Sequence, residues 1–384
     1  MSKKILHLSH TDIRSDSRIL KEMGALASLD QFCLLGIGVE MQEGASSSKK
    51  SLKAKILSIR LFSKMLSFLP KPIRYALNMT ELTVRLVFYG LRSRPSAVHC
   101  HDTFVLPAGV LIKMLLRCKL IYDAHELESD KNGQTPALSK ATLAIEKWAW
   151  KRIDLLISVS DSINDWYIKN LGSKPHLLIL NSPEIPKRTG TGADRGVEER
   201  YFHSLYGIPT NKKVFIYIGI LSGGRGIDLC LQAFASGVVD AHVVFMGYGP
   251  LKTKIGSFSS KHPNIHLHDP VPHEQVVTIV KNADVGLCFV ENVSLSDYYS
   301  LPNKLFEYAF SGLPVLASDF PEIGKIVRQY SLGFCSAVEL ESIKQMISNI
   351  VESPVPVASG DLNELGWEAQ AARLNAAYDR LLQS

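Results

Sequence analysis

The chain alternates short apolar runs with segments whose apolar residues recur at helical spacing. Lys4-Ile5-Leu6-His7-Leu8-Ser9 reads as a strand, and 16–29 as a helix carrying Ile19, Leu20, Met23 and Leu26 on one face. Further strands are predicted over 32–37, 98–101, 120–124, 155–159 and 177–180, with helices over 106–116, 138–152 and 162–170. Pro183, Pro186, Gly190, Gly192, Gly196 and Pro209 then break the pattern over 181–213. It restarts with strands over 214–219, 241–246, 265–268 and 284–290 and helices over 227–235 and 273–282. The stretch 299–318 reads as a loop, a short helix, a glycine stop at Gly312 and a strand over 313–317. Ser300 is the expected N-cap of that helix, with Pro302 in its first turn. Pro354 and Pro356 mark a second break over 353–360, and a last helix spans 362–382.

Strands alternating with helices imply parallel sheets covered on both faces, with ligand sites beyond the carboxyl ends of the strands. His10, His101-Asp102 and His125-Glu126 fall at such ends in the first half. At 384 residues the chain is too long for one core. The predicted organisation is an α/β domain over 1–183, a linker over 184–212, a second α/β domain over 213–360 and a terminal helix over 361–384.

Composition changes this picture in one place. The chain carries a net charge of +6, and 49–94 holds eleven lysines and arginines against Glu81 alone. That segment interrupts the alternation and mixes its cations with Ile56, Leu57, Phe62, Met65, Leu66 and Phe68, so it reads as one or two basic amphipathic helices. Two readings of it stay open. One is a surface lying on anionic lipid; the other is a helical excursion whose apolar face packs on the sheet. Nucleic acid is not expected as a partner, because no recognition motif accompanies the charge. The six cysteines are scattered without CxxC or zinc spacing, as expected for buried thiols in a reducing, cytoplasmic setting. No signal-type segment and no run long enough to cross a membrane is visible.

The candidate chemistry lies mostly in the second half. Gly219-Ile220-Leu221-Ser222-Gly223-Gly224-Arg225-Gly226 links a strand to a helix, which suits backbone approach to a diphosphate with Arg225 adding a guanidinium fork. Gly247 and Gly249 close the next strand end. Asn303 and Lys304 sit at a helix start, where free N–H groups favour an anion, and Glu307 lies one turn on. Taken singly, each has a plain alternative: a tight turn for the glycines, and a solvated Lys304–Glu307 pair for the helix.

Together these residues resemble the retaining glycosyltransferases of family 4, whose architecture, GT-B, sets two Rossmann-like domains with parallel sheets facing a central cleft. Tyr217-Ile-Gly-Ile-Leu-Ser-Gly-Gly-Arg225-Gly-Ile-Asp is similar to the family's donor-phosphate loop, and Met246-Gly-Tyr-Gly-Pro250 to the loop that follows. Leu301-Pro-Asn-Lys-Leu-Phe-Glu307-Tyr-Ala-Phe-Ser-Gly-Leu-Pro-Val-Leu-Ala-Ser318 is the most specific match. Ser15-Asp16-Ser17-Arg18 and Tyr122-Asp123-Ala124-His125-Glu126-Leu127 also look like family elements. The resemblance implies that Glu307 accepts from the nucleotide ribose and that Arg225 and Lys304 neutralise the leaving diphosphate. Ser300, Leu301 and Asn303 would then offer groups to phosphate and sugar, with Gly219, Gly247 and Gly249 shaping the donor site. His125 would line the sugar near its reacting carbon, and His10, Asp12 and Arg18 would serve the acceptor side. The terminal helix would cross back to the first domain.

Two positions depart from the family. Tyr299 stands where an earlier glutamate, eight residues before Glu307, is common, and Ile220 stands where the glycine loop often has a second cation. The implied reaction is transfer from a nucleoside-diphosphate sugar, UDP-sugar ahead of GDP-sugar, to an acceptor hydroxyl with retention of configuration. No cofactor and no metal are expected, since no DxD motif is present. The implied acceptor is a surface polysaccharide or lipid-linked glycan, handled in the cytoplasm or at the inner face of the membrane. A non-catalytic nucleotide-sugar-binding subunit is the alternative, favoured by Tyr299 and Ile220. A nicotinamide oxidoreductase is disfavoured, because neither half shows a dinucleotide fingerprint with its downstream acid.

Overall fold

A computed structural model describes residues 2–40, 54–66, 68–185, 200–353 and 361–383. The chain divides into two compact units, Met1–Leu180 with Ala369–Ser384, and Asn181–Glu368. Much of the second expected break, over 354–360, and Gly190, Gly192 and Gly196 of the expected linker fall outside the described residues.

The first unit is built on seven strands: β1 (Lys3–Leu8), β2 (Phe32–Val39), β3 (Ala54–Ile59), β4 (Ala97–His101), β5 (Lys119–Ala124), β6 (Leu155–Ser158) and β7 (His176–Leu178). They lie in the order β3-β2-β1-β4-β5-β6-β7, and every pairing is parallel. Helices cover both faces, which is why β4 to β6 are almost wholly buried, polar residues His99, His101 and Asp123 included. The last helix, Trp367–Gln383, carries Tyr378 into this core, where its hydroxyl lies 2.6 Å from Nδ1 of His99.

The basic segment is only partly helical, which corrects the expectation of amphipathic helices throughout it. Residues Ala54–Ile59 form β3, paired along β2 from Leu34↔Ala54 to Val39↔Ile59. An edge strand needs only one neighbour and one covered face, so Lys55 and Ser58 are tolerated and no apolar run announces it. A 3₁₀ turn, Phe62–Met65, and the long helix Lys71–Ser93 follow. Lys49, Lys50 and Lys53 lie outside the described residues.

The second unit has six strands: β8 (Val214–Ile220), β9 (His242–Tyr248), β10 (Ile265–His268), β11 (Val285–Cys288), β12 (Val315–Ser318) and β13 (Gly333–Ser336). Their order is β10-β9-β8-β11-β12-β13, again all parallel. The expected linker contains a short helix, Tyr201–Tyr206, that buries Phe202. The signature helix is Asn303–Ser311, with Pro302 rather than Ser300 at its N-cap. Ser300 donates its hydroxyl to the Asp297 carbonyl at 2.8 Å, so it closes the turn before the helix instead of capping it. Gly312 ends the helix at φ +75°, as the glycine stop requires.

Tyr308 fixes this helix to the sheet. It is fully buried, and its ring fills the space that a side chain at Gly286 would occupy, since a Cβ there would lie 2.5 Å from the ring. β8 and β11 pair only at Val285↔Phe215 and Gly286↔Ile216. Beyond that point the Tyr308 hydroxyl donates to the Ile216 carbonyl at 3.0 Å and accepts from the Ile218 N–H at 2.9 Å. A Tyr308→Phe variant leaves both strand groups unpaired in the core. We expect it to lose about 1–3 kcal/mol of unfolding free energy in urea titrations, with the ring packing retained.

Candidate active site

In the first unit, parallel register brings four histidines to one sheet region. His7 of β1 stands opposite His99 of β4, and His101 of β4 opposite Asp123 of β5. Residues two apart on a strand share a face, so His99 and His101 stack with centroids 4.3 Å apart, and His7 stacks on His99 at 4.6 Å. Nδ1 of His7 lies 3.0 Å from Nε2 of His101. His7, His99, His101 and Asp123 are all fully buried.

Asp123 is the hub. Its Oδ1 accepts from Arg18 at 2.8 Å, and its Oδ2 faces Nδ1 of His101 at 3.2 Å and Nε2 of His125 at 3.0 Å. Arg18 reaches in from the helix Ser17–Ala27, which Asp16 caps by accepting from the Arg18 and Ile19 N–H groups. The same guanidinium lies 3.1 Å from Glu22 and donates to the Ile179 carbonyl at 3.1 Å. On the other side of His125, Nδ1 is 3.7 Å from Asp102, and that carboxylate also lies 3.7 Å from His10.

These charges bias one another strongly. Burial opposes a charged His125, but Asp102 and Asp123 outweigh it and raise the imidazole to about 10. Burial also opposes ionised Asp123, yet Arg18, His125 and the hydrogen bonds hold it well below the usual carboxylate range. Burial lowers His99 to about 3, with His101 adding to the effect, and burial and the Asp123 charge lift Glu22 to about 8. His125 is therefore an imidazolium at neutral pH, mostly buried at a strand end with its side chain 17% exposed, on a buried neutral histidine stack.

Of the residues expected on the acceptor side, His10 stays near His125 through Asp102. Arg18 is buried and committed to Asp123 and Glu22. Asp12 accepts from Arg14 at 2.6 Å and caps the turn Ile13–Ser15. His7, His99 and Glu22 are part of this cluster without having been singled out in the sequence; for His99 the signal was the His-x-His alternation with His101 inside a strand, and His7 and Glu22 carried no such signal. Two groups, His7 with His99 and His101, and Glu22 with His99, His101 and Asp123, hold ligand atoms within 4.8 Å of one another. Arg18 already places a positive charge against both carboxylates of the second group.

In the second unit, the glycine-rich strand ends interlock through backbone. Gly219 and Gly247 are register partners, and a Cβ on Gly247, at φ +157°, would lie 1.9 Å from the Gly219 carbonyl. The Leu221 N–H then donates to the Tyr248 carbonyl at 2.7 Å, and the Leu251 N–H to the Leu221 carbonyl at 2.9 Å. Gly226, at φ +68°, opens the helix Ile227–Ala235, and its N–H donates to Glu291 at 3.0 Å. Glu291 also receives the Gly224 carbonyl on its own N–H at 3.0 Å. It braces the Arg225 loop, and no motif marked it.

Lys304 projects from the first turn of Asn303–Ser311 with Nζ 3.8 Å over the Tyr217 ring. Among the described residues it has no hydrogen-bond partner. Burial pulls it down to about 8; Arg225 pulls the same way and Glu307 opposes. A buried, unpaired ammonium, a half-buried guanidinium and a helix start thus share the carboxyl end of this sheet, a surrounding suited to a polyanion. Asn303 is exposed, whereas Glu307, Leu301 and Tyr299 are half-buried. Ile220 and Tyr248 turn their side chains outward at the tips of the two glycine loops.

A family model described as "Glycosyl transferases group 1" matches residues 212–353, and one described as "Glycosyltransferase Family 4" matches residues 45–179. No curated protein matches the chain. Among solved structures, sucrose-phosphate synthase from Thermosynechococcus elongatus is similar, with a TM-score of 0.71, 14% identity, and coverage of 99% of this chain and 94% of that one. HepE of Anabaena in complex with UDP and glucose has a TM-score of 0.66 and 13% identity, covering 99% and 95%. The lipopolysaccharide outer core galactosyltransferase WaaB has a TM-score of 0.62 and 13% identity, covering 99% and 96%. At these identities the likeness concerns the fold.

The ion-pair geometry fixes a titration order. In nitrogen-detected NMR, His125 should stay protonated at pH 8 while His99 stays neutral at pH 5. The folded value of His125 lies above its ordinary 6.5, so the stability it adds is complete below 6.5 and is lost as pH climbs towards about 10. A His125→Gln variant should lack that part of the alkaline decline in thermal unfolding.

Proposed function

This chain belongs to the family 4, group 1 glycosyltransferases of GT-B fold, and from that premise we propose retaining transfer of a sugar from a nucleoside-diphosphate sugar to an acceptor hydroxyl. The observation that carries the donor assignment is the convergence of Arg225, Lys304 and glycine-shaped strand ends in the second unit. In the reaction the bond from the anomeric carbon to the diphosphate oxygen breaks, and a bond from that carbon to the acceptor oxygen forms on the same face. The acceptor proton passes to the leaving phosphate. Charge develops on the diphosphate, and Arg225, Lys304 and the N–H groups at Asn303 offset it. Glu307 accepts from the ribose hydroxyls. His125, as an imidazolium, donates a hydrogen bond to the sugar and does not act as a base.

UDP is favoured as the donor nucleotide because HepE, of the same fold, was captured with UDP and glucose. A surface polysaccharide or lipid-linked glycan is the proposed acceptor, and WaaB, a lipopolysaccharide galactosyltransferase, shares the fold. Tyr299 and Ile220 support a second reading, a nucleotide-sugar-binding subunit without turnover. Ile220 is half-exposed at the donor loop and brings no charge to a diphosphate.

Thermal shift with UDP, GDP and dTDP tests the donor site, because a ligand bound only by the folded state raises the melting temperature. A rise with UDP alone is expected; no rise with any nucleotide would overturn the assignment. Glu307→Ala should weaken UDP about tenfold or more, at about 1.5–3 kcal/mol for hydrogen bonds to a charged group. UDP affinity should also fall as pH rises through about 8, where Lys304 loses its proton, and Lys304→Met should flatten that profile. His125→Ala should keep UDP binding and lose turnover. UDP binding without donor hydrolysis or transfer in the unaltered protein would select the second reading.

A further inference from the structure

The helix Lys71–Ser93 exposes an apolar row that no described residue covers. Ile73, Leu77, Val84 and Phe88 recur at four, eleven and fifteen residues from the first, which places them on one helical face. Val84 is 63% and Phe88 58% exposed, values unusual for large apolar side chains inside a long helix. Arg74, Arg85 and Arg92, eleven and eighteen residues apart, form a cationic row along the edge of that face. The turn before the helix extends it. Met65 is 78% and Phe68 79% exposed, with Lys64 exposed between Phe62 and Met65.

This arrangement is held in place. Glu81, the sole acid from Ala54 to Arg94, accepts from the Phe62 and Ser63 N–H groups at 2.9 and 2.7 Å and pairs with Arg85 at 2.9 Å. The Arg85 guanidinium in turn covers the Phe62 ring at 4.7 Å. The one negative charge of the region is thus committed to fixing the turn, and the outward surface of the described residues carries apolar and cationic groups with the neutral Thr80 among them.

We propose that this face docks on an anionic lipid bilayer, with the apolar row entering the headgroup boundary and Lys64, Arg74 and Arg92 pairing with lipid phosphates. Charge complementarity and the apolar row select a bilayer over a protein partner, and no described helix is long and apolar enough to cross one. The face also leads to the candidate site. Tyr75 on the same helix meets the Phe104 ring at 6.1 Å, Phe104 meets His10 at 4.9 Å, and His10 shares Asp102 with His125. A lipid-linked substrate entering from the bilayer would therefore arrive beside His10. Only that purpose rests on the acceptor proposed above; the binding does not.

Flotation of the full chain with phosphatidylcholine vesicles, and with the same vesicles containing phosphatidylglycerol, tests this with neither donor nor acceptor present. Binding is expected to the anionic vesicles and to weaken with salt. Val84→Asp with Phe88→Asp, and separately Arg74→Glu with Arg92→Glu, should each reduce the bound fraction about tenfold or more, since each cation near the surface contributes about a fivefold gain. UDP thermal shift should be unchanged in both, which shows that the variants fold. If the aspartate pair fails to fold, the arginine pair carries the test. Absence of binding to either vesicle overturns the proposal, as does binding that neither pair alters. Self-association that the aspartate pair abolishes, without vesicle binding, also overturns it and makes the face a protein interface.

Discussion

The first unit depends on keeping one carboxylate charged in its interior. Asp123 has no access to water, so its charge persists only because Arg18, His101 and His125 all point at it. Removing one partner of such a buried pair costs about 3–5 kcal/mol, because the other is left charged and unsolvated. The demand reaches three elements: the first helix must deliver Arg18, β4 must present His101, and the end of β5 must turn back so that His125 meets its own neighbour. What results is a cation, His125, held at a strand end by charges it did not choose. The fold thereby decides the protonation state of His125.

The second unit solves the opposite problem. It must leave positive charge available and does so with backbone. Gly247 and Gly249 bring their backbone so close to the Gly219 and Leu221 carbonyls that no side chain fits at either position, and the loops then zip through Leu221, Tyr248 and Leu251. Glu291 ties the Arg225 loop from below. Lys304 holds its position at a lowered pKa, since burial opposes its charge and among the described residues it finds no hydrogen-bond partner. An anion beside it would restore the charge that burial suppresses.

Much of this was legible in the residue pattern, and the misses have causes. Buried parallel strands are runs of apolar residues, so β1, β4, β5, β8, β9 and β11 stood out. The edge strand β3 did not, because an edge needs no such run and its lysine and serine resembled a basic helix. Ser300 looked like a cap because serine caps helices generally; the chain instead placed Pro302 there and used the serine one turn earlier. Glu291 was invisible because a carboxylate that accepts from a loop N–H needs no fixed spacing from it.

The sequence alone determined the two rounds of strand and helix, the glycine-shaped loops, the basic segment and the residue types at the strand ends, since all of these are local: periodicity, backbone freedom and composition. Only the tertiary structure decided what the charged residues do. His7, His99, His101 and Asp123 come from three strands, and Arg18 and Glu22 from a helix, so their mutual distances exist only after the sheet has formed. A pKa is a property of those distances and of burial, and neither is written at any one position of the chain.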